Sequence, residues 1–515
     1  MSTRSPITRS RFWQSPLFWA AAAGACVEIG VIAGSAVPLG VPGEWSWQRL
    51  PSDGNSGAML LLAALSLLPA AAGYLAVCYW GLAGIESRGR MARCVWLTLL
   101  STAAFAWLWC VIDASPDPVH RLGRGPIVHY YPAFSGYFLE ARRPDDFSGA
   151  LEDYEAKMAD GDVLHIGTHP PGLIIAHRGL LAFFRGFPAV SDLVLAIRPA
   201  SVRDAQNQVI VPFPVGDGPP LAKADLAALW AATLIVMLAG ALTVIPLYML
   251  AAAGSSRRAG WQAACFWPLV PALAIFIPKS DALLPLLGMG IVAAWWPSSR
   301  RSRWGVVVAA VLFWVGMLTT LATLTIGCLL LLLTLYDLAR VETWNRRDAV
   351  VRTAWDILLA GEIVAVCTLV FWLLSDVNLI NVWWWNFVNH ERFYSEYDRT
   401  YWKWLIANPI ELCFAVGLPL VAMIFVGWRG LDWRIPPLVP VFATVGLLWL
   451  SGKNSGEAAR LWLFLMPWLI WISAGVWSRV PSKSVWFAVL VVQLVTAFVV
   501  ISRASGFEFQ RFLVG

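Results

Sequence analysis

Long apolar runs recur along this chain between residues 17 and 502, separated by short polar stretches. A helix needs roughly 20 apolar residues to cross the hydrocarbon of a bilayer. By that measure the runs 17–37, 58–82, 93–113, 224–250, 261–278, 281–297, 304–318, 319–337, 354–375, 408–428, 435–451, 461–478 and 484–502 read as spans. The pattern predicts an all-α, polytopic integral membrane protein of about 13 transmembrane helices. Two longer polar stretches interrupt it, 114–223 and 376–407. Within the first, GLIIAHRGLLAFFRGF (172–187) is apolar but broken by His177, Arg178 and Arg185. Were it a span, Arg257 and Arg258 would change faces, so an amphipathic helix lying in the interface is expected instead.

Composition supports the membrane reading. The chain is 58% hydrophobic and 14% charged, with 31 Trp, whereas soluble domains are about 45–50% apolar and about 25% charged. The net charge of +6 does not point to nucleic acid, because the basic residues form no basic domain. They fall instead in short connections on one face: Arg88, Arg90 and Arg93; Arg257 and Arg258; Arg300, Arg301 and Arg303; Arg340, Arg346, Arg347 and Arg352; Arg429 and Arg434; Arg479 and Lys483. Short Arg/Lys-rich loops mark the cytoplasmic side. The N-terminus, with Arg4, Arg9 and Arg11, reads as a cytoplasmic tail before a retained first span. The expected location is therefore the plasma (inner) membrane. The eight cysteines lie in or beside apolar runs without CxxC spacing, which indicates neither a zinc site nor a disulfide framework.

The opposite face carries the unusual chemistry. All six histidines (120, 129, 165, 169, 177 and 390) map there, and 114–223 holds twelve acidic residues. Asp113 ends the third span, with Asp117 and two prolines following, where a general base, a metal ligand or an ordinary helix end are all open readings. His129 and Tyr130 sit in GPIVHYYPAF, suited to anchoring at an interface or stacking on a sugar. In LHIGTHPPG, His165 and His169 precede Pro170, Pro171 and Gly172, a turn into a helix whose free N–H groups favour an anion. IPKSDALLP offers Lys279 to a phosphate oxygen and Asp281 to a substrate hydroxyl, or simply caps a turn. The stretch 378–404 interleaves Trp with His390 and Glu391, as carbohydrate sites and aromatic belts both do. Lys453 and Arg460 flank the start of a late span, and Arg460 one turn inside it is costly unless paired or bound to phosphate. Glu28 and Glu362 lie within spans and are expected to make packing hydrogen bonds.

Taken together, Asp113, the long segment 114–223 with His169-Pro170-Pro171-Gly172, the PKSDALLP turn and the second stretch 376–407 resemble GT-C type membrane glycosyltransferases. That broad group includes protein O-mannosyltransferases and lipid A aminoarabinose transferases. The resemblance covers residues 93–470, leaving 1–92 as a tail with two extra spans and 471–515 as a C-terminal extension. It implies transfer of a sugar, with inversion, from a polyprenyl-phosphate donor to an extracytoplasmic glycan, lipid or protein acceptor. Asp113 would be the base, and Lys279, Arg460 and His169 would bind the leaving phosphate. Asp113 lacks the adjacent acidic partner that some members carry, which leaves a divalent metal open. A lipid-linked glycan polymerase or ligase and a polytopic transporter are the alternatives.

Overall fold

The computed structural model describes residues 11–50, 56–86, 89–143, 151, 153–161, 163–215, 219–296, 302–428, 438–453, 455–480 and 482–509. The basic positions Arg4, Arg9, Arg88, Arg300, Arg301, Arg429 and Arg434 lie outside them. Helices dominate, and the strands among the described residues are two-residue pairings such as Gly40–Val41 with Trp45–Ser46.

The helices used below are α1 (Pro16–Gly34), α2 (Ser56–Gly84), α3 (Arg90–Asp113), α4 (Arg124–Tyr130), α5 (Gly172–Gly186), α6 (Lys223–Leu242), α7 (Leu284–Trp295), α8 (Arg303–Thr319), α9 (Arg346–Ser375), α10 (Leu379–Glu396), α11 (Tyr401–Val416), α12 (Leu418–Gly427), α13 (Ala458–Leu461) and α14 (Lys483–Arg503). Six helices among the described residues are long and apolar enough to cross a membrane, or up to eight if each of two sharply bent pairs counts as one span.

The expectation of 13 spans is corrected by where prolines and glycines fall. The run 261–278 is divided among Arg257–Ala264, a short turn at Trp267–Leu269 and Pro271–Phe276. Proline removes a helix donor and clashes with the preceding turn. The run 281–297 yields the 12-residue α7 after a tight turn at Ser280–Leu283. At about 1.5 Å per residue such a helix reaches roughly 18 Å, well short of the ~30 Å hydrocarbon layer. The run 408–428 breaks at Gly417 (φ 105°), where α11 and α12 meet at a bend of 101°. Hydropathy alone does not register these breaks.

A break exposes backbone groups that apolar surroundings cannot satisfy, and near Leu269 and Gly417 side chains from distant helices reach in to pair them. Gln493 of α14 donates to the carbonyls of Leu269 (3.0 Å) and Val416 (3.1 Å) and accepts from Leu420 N (3.3 Å). Glu28 of α1 accepts from Leu418 N at 2.6 Å. A buried indole does the same, Trp107 donating to Pro268 O at 3.1 Å, and Trp267 ties the 267–269 turn to α6 by donating to Gly240 O at 2.7 Å. Glu28 thus makes a packing hydrogen bond at a helix break, whereas Glu362 is exposed on α9.

Two buried apolar clusters result. The larger runs from Leu17 to Ala504, so the N-terminal helices and α14 share one core with the middle of the chain. The smaller is built from the segment after α3, including Val128, Tyr137, Leu173 and Ile174, closed by Val382 and Phe507. Helix α5 buries Leu173, Ile174, His177, Leu181 and Phe184 along one face and then turns by 105° at Pro188.

Candidate functional site

The THPPG turn is fixed by sequence chemistry and by a distant helix. Pro170 and Pro171 bias the residues before them to extended backbone, and His169 is extended at φ −128°, ψ 146°. A Cβ on Gly172 would lie 2.5 Å from the Leu318 carbonyl oxygen of α8, so only glycine allows this approach. The stretch 376–407, expected as a loop, contains the 18-residue helix α10. Its Asn386 and Asn389 donate to Gly167 O at 3.2 and 2.9 Å, clamping the histidine turn from the other side. Tyr154 donates to His169 O at 2.6 Å.

A second positioning system holds Arg460. Glu411 of α11, itself buried, accepts from Ala458 N (3.2 Å), Ala459 N (3.0 Å) and the Trp47 indole (3.0 Å). These bonds pin the start of α13, whose preceding residue Glu457 adopts a left-handed φ of 55°. Arg460 then pairs with Glu457 at 2.8 Å and lies 3.9 Å from Asp281. Lys279 donates to the Phe134 carbonyl.

Two adjoining cavities open on this cluster. The first, about 360 Å³, is lined by His129, His165, His169, Lys279, Asp281 and Arg460. Its apolar lining comes from Leu173, Ala176 and Leu180 of α5 and Ala232, Ile235 and Val236 of α6, where Ile235 is 46% exposed. The second, about 520 Å³, shares His165, His169, Lys279, Asp281 and Arg460 and continues to Asn386, His390, Tyr394, Arg399, Lys453 and Glu457. The charged cluster therefore stands at the junction of the two cavities.

Burial pushes the Lys279 ammonium down to about 7, and the Arg460 charge adds to this against Asp281 and Glu457. His165 is driven down to about 2 by burial and then by Lys279 and His169. His169 is lowered by burial, with Asp281 opposing. For Arg460 burial works against the charge, but Glu457 and Asp281 outweigh it and raise its pKa. His169 Nδ1 lies 3.1 Å from both the His165 carbonyl oxygen and Thr168 Oγ1; in the tautomer that donates to the carbonyl, Nε2 is the proton acceptor.

Other candidates sit elsewhere. Asp113 lines neither cavity; its Oδ1 accepts from Ser201 Oγ at 2.5 Å. Asp117 caps a short turn through Val119 N at 3.0 Å and lies 3.8 Å from His120. The buried Tyr130 hydroxyl accepts from Val215 N at 2.9 Å. Glu391 is exposed on α10 and lines neither cavity. Conversely, Glu457, Arg399, Tyr137 and His177 contribute to the cavities without having been singled out as site residues. The i, i+3 spacing of Glu457 and Arg460 was the available signal for the first. Among the described residues no three His, Cys, Asp or Glu side chains gather as a metal site would require. No protein-family model and no curated protein matches this chain.

Proposed function

We propose that this chain is a membrane glycosyltransferase of GT-C type, moving a sugar from a polyprenyl-phosphate donor to an acceptor on the extracytoplasmic face. The observation that carries the reading is the charged cluster at the junction of the two cavities. A phosphate there meets Lys279 and the Arg460 fork, while its lipid chain runs along the apolar wall of α5 and α6 toward the exposed Ile235. The second cavity then receives the acceptor. Arg90 and Arg93 at the start of α3, and Arg257 and Arg258 after the apolar helix Lys223–Gly254, mark the cytoplasmic ends of those two helices, which supports an outward position for the segment between them.

In the reaction an acceptor hydroxyl oxygen attacks the anomeric carbon as the bond from that carbon to the phosphate oxygen breaks. The hydroxyl proton passes to His169 Nε2, which burial keeps neutral and ready to accept it. Polyprenyl phosphate leaves carrying the bonding electron pair, and Arg460 and Lys279 take up the growing negative charge. Glu457 and Asp281 orient the guanidinium. Asp113, hydrogen-bonded to Ser201 outside both cavities, has no part in this scheme.

The test is turnover by the purified full chain in lipid nanodiscs supplied with radiolabelled polyprenyl-phosphate sugars and extracted membrane acceptors. Labelled product with release of polyprenyl phosphate is expected. Uptake of label into sealed vesicles without cleavage of the donor would mean transport instead.

A further inference from the structure

His129 on α4 and His177 on α5 face each other with ring centroids 5.4 Å apart at an interplanar angle of 69°. Both are more than nine-tenths buried, and both line the first cavity beside its apolar wall. His129 Nε2 and His177 Nδ1 are completely buried and hydrogen-bond to no protein group among the described residues. Buried polar atoms in folded proteins almost always find partners, because leaving one unmet costs free energy. Two neighbouring imidazoles that line one cavity, each with an unpartnered ring nitrogen, mark a place where a ligand can supply the partner.

We infer that the His129–His177 pair is a subsite for a hydroxyl of the sugar that the lipid phosphate carries. This rests on the lipid-phosphate reading above and goes beyond it by assigning the sugar's place. The pair is buried, and Phe138 lies 5.8 Å from the His177 ring, edge to face. The imidazoles therefore stay neutral; burial holds the His129 pKa far below its ordinary value, followed by the effects of His177 and Lys279. A neutral imidazole offers one donor and one acceptor. A phosphodiester accepts hydrogen bonds but has none to give, so it would use only half of what the pair offers. A hydroxyl both donates and accepts, and satisfies one imidazole of each kind. The phosphate already has Lys279 and Arg460 a short way along the same cavity.

The test compares two kinds of probe on the full chain in nanodiscs: undecaprenyl phosphate, and its glucosyl, mannosyl and pentosyl esters. The wild-type chain should bind at least one sugar ester more tightly than the bare phosphate. His177→Phe and His129→Phe, which keep the ring volume, should each weaken that ester about tenfold, the worth of roughly one hydrogen bond, while changing bare-phosphate affinity less than about twofold. His177→Asn, which keeps a donor and an acceptor, should recover part of the loss, and thermal unfolding of each variant verifies that it is folded. If both kinds of probe weaken equally, or if the preference for the ester survives in the double variant, the subsite is overturned. The same holds if no ester exceeds the bare phosphate. A wild-type chain that binds neither kind of probe overturns the lipid-phosphate reading itself, and the subsite with it.

Discussion

Two regions of this molecule bury polar groups, and they do so in opposite ways. At the breaks around Leu269 and Gly417, Gln493 and Glu28 pair with backbone groups that the interrupted helices leave open. Around Lys279 and Arg460, the polar groups instead line open space, with His129 and His177 holding ring nitrogens that meet no protein partner. Side chains that pair with interrupted helix backbone belong to architecture, and polar side chains that line open space belong to a place a ligand can enter. The same residue types serve both ends, so tertiary surroundings decide which is which.

The sharpest break of this comparison is at Arg460. Arg460→Ala removes the fork from the junction and should cut sugar transfer by about a hundredfold or more, as loss of a charge-assisted phosphate contact does; Arg460→Lys should recover part of it. Full transfer by a folded Arg460→Ala protein would contradict the assignment. On the architectural side, Gln493→Leu leaves the Leu269 and Val416 carbonyls without their side-chain donor at the helix breaks, while the Leu420 N–H keeps its bond to Gly417 O. It should lower stability by about 2–3 kcal/mol, read as reduced resistance to unfolding in mixed micelles, without a matching loss of lipid-phosphate affinity per folded molecule. A large affinity loss with unchanged stability would erase the distinction between the two regions.

Part of this was legible in the sequence. The HPPG turn, Lys279, Asp281 and Arg460 stand out because they are polar residues at the margins of apolar runs, and the fold brings them to one cavity. The number of spans was not legible, because prolines 268, 271 and 278 and Gly417 divide runs whose hydropathy is continuous. Asp113 and Asp281 look alike in one dimension, each an acid at the edge of an apolar run near prolines. They differ in their neighbours: Ser201, 88 positions along the chain, occupies one, and the cavity junction receives the other. His177 looked like an interruption in an interfacial helix; its partner, His129, lies on a separate element, and spacing could not join them.

Smaller effects refine the comparison. Lys279 titrates near 7, where a bound phosphate favours its charged form. Below that pH the ammonium is already present; above it, binding must draw in a proton. Affinity for polyprenyl phosphate should therefore fall as pH rises through about 7 and level off well above it, and Lys279→Met should flatten the profile on that side. An identical slope in the variant would assign the titration to another group. Smallest of all, Asp113→Asn keeps a side-chain acceptor for Ser201, so transfer should stay within about twofold of wild type. A collapse of turnover with normal folding would return the base to Asp113.

The central claim is that Lys279 and Arg460 grip a lipid-borne phosphate, and direct binding measures it. Undecaprenyl phosphate titrated into the full chain in nanodiscs should bind saturably, and the Lys279→Met/Arg460→Ala double variant should lose about a hundredfold in affinity while remaining folded. Equal affinity in the wild-type chain and that variant would contradict the account.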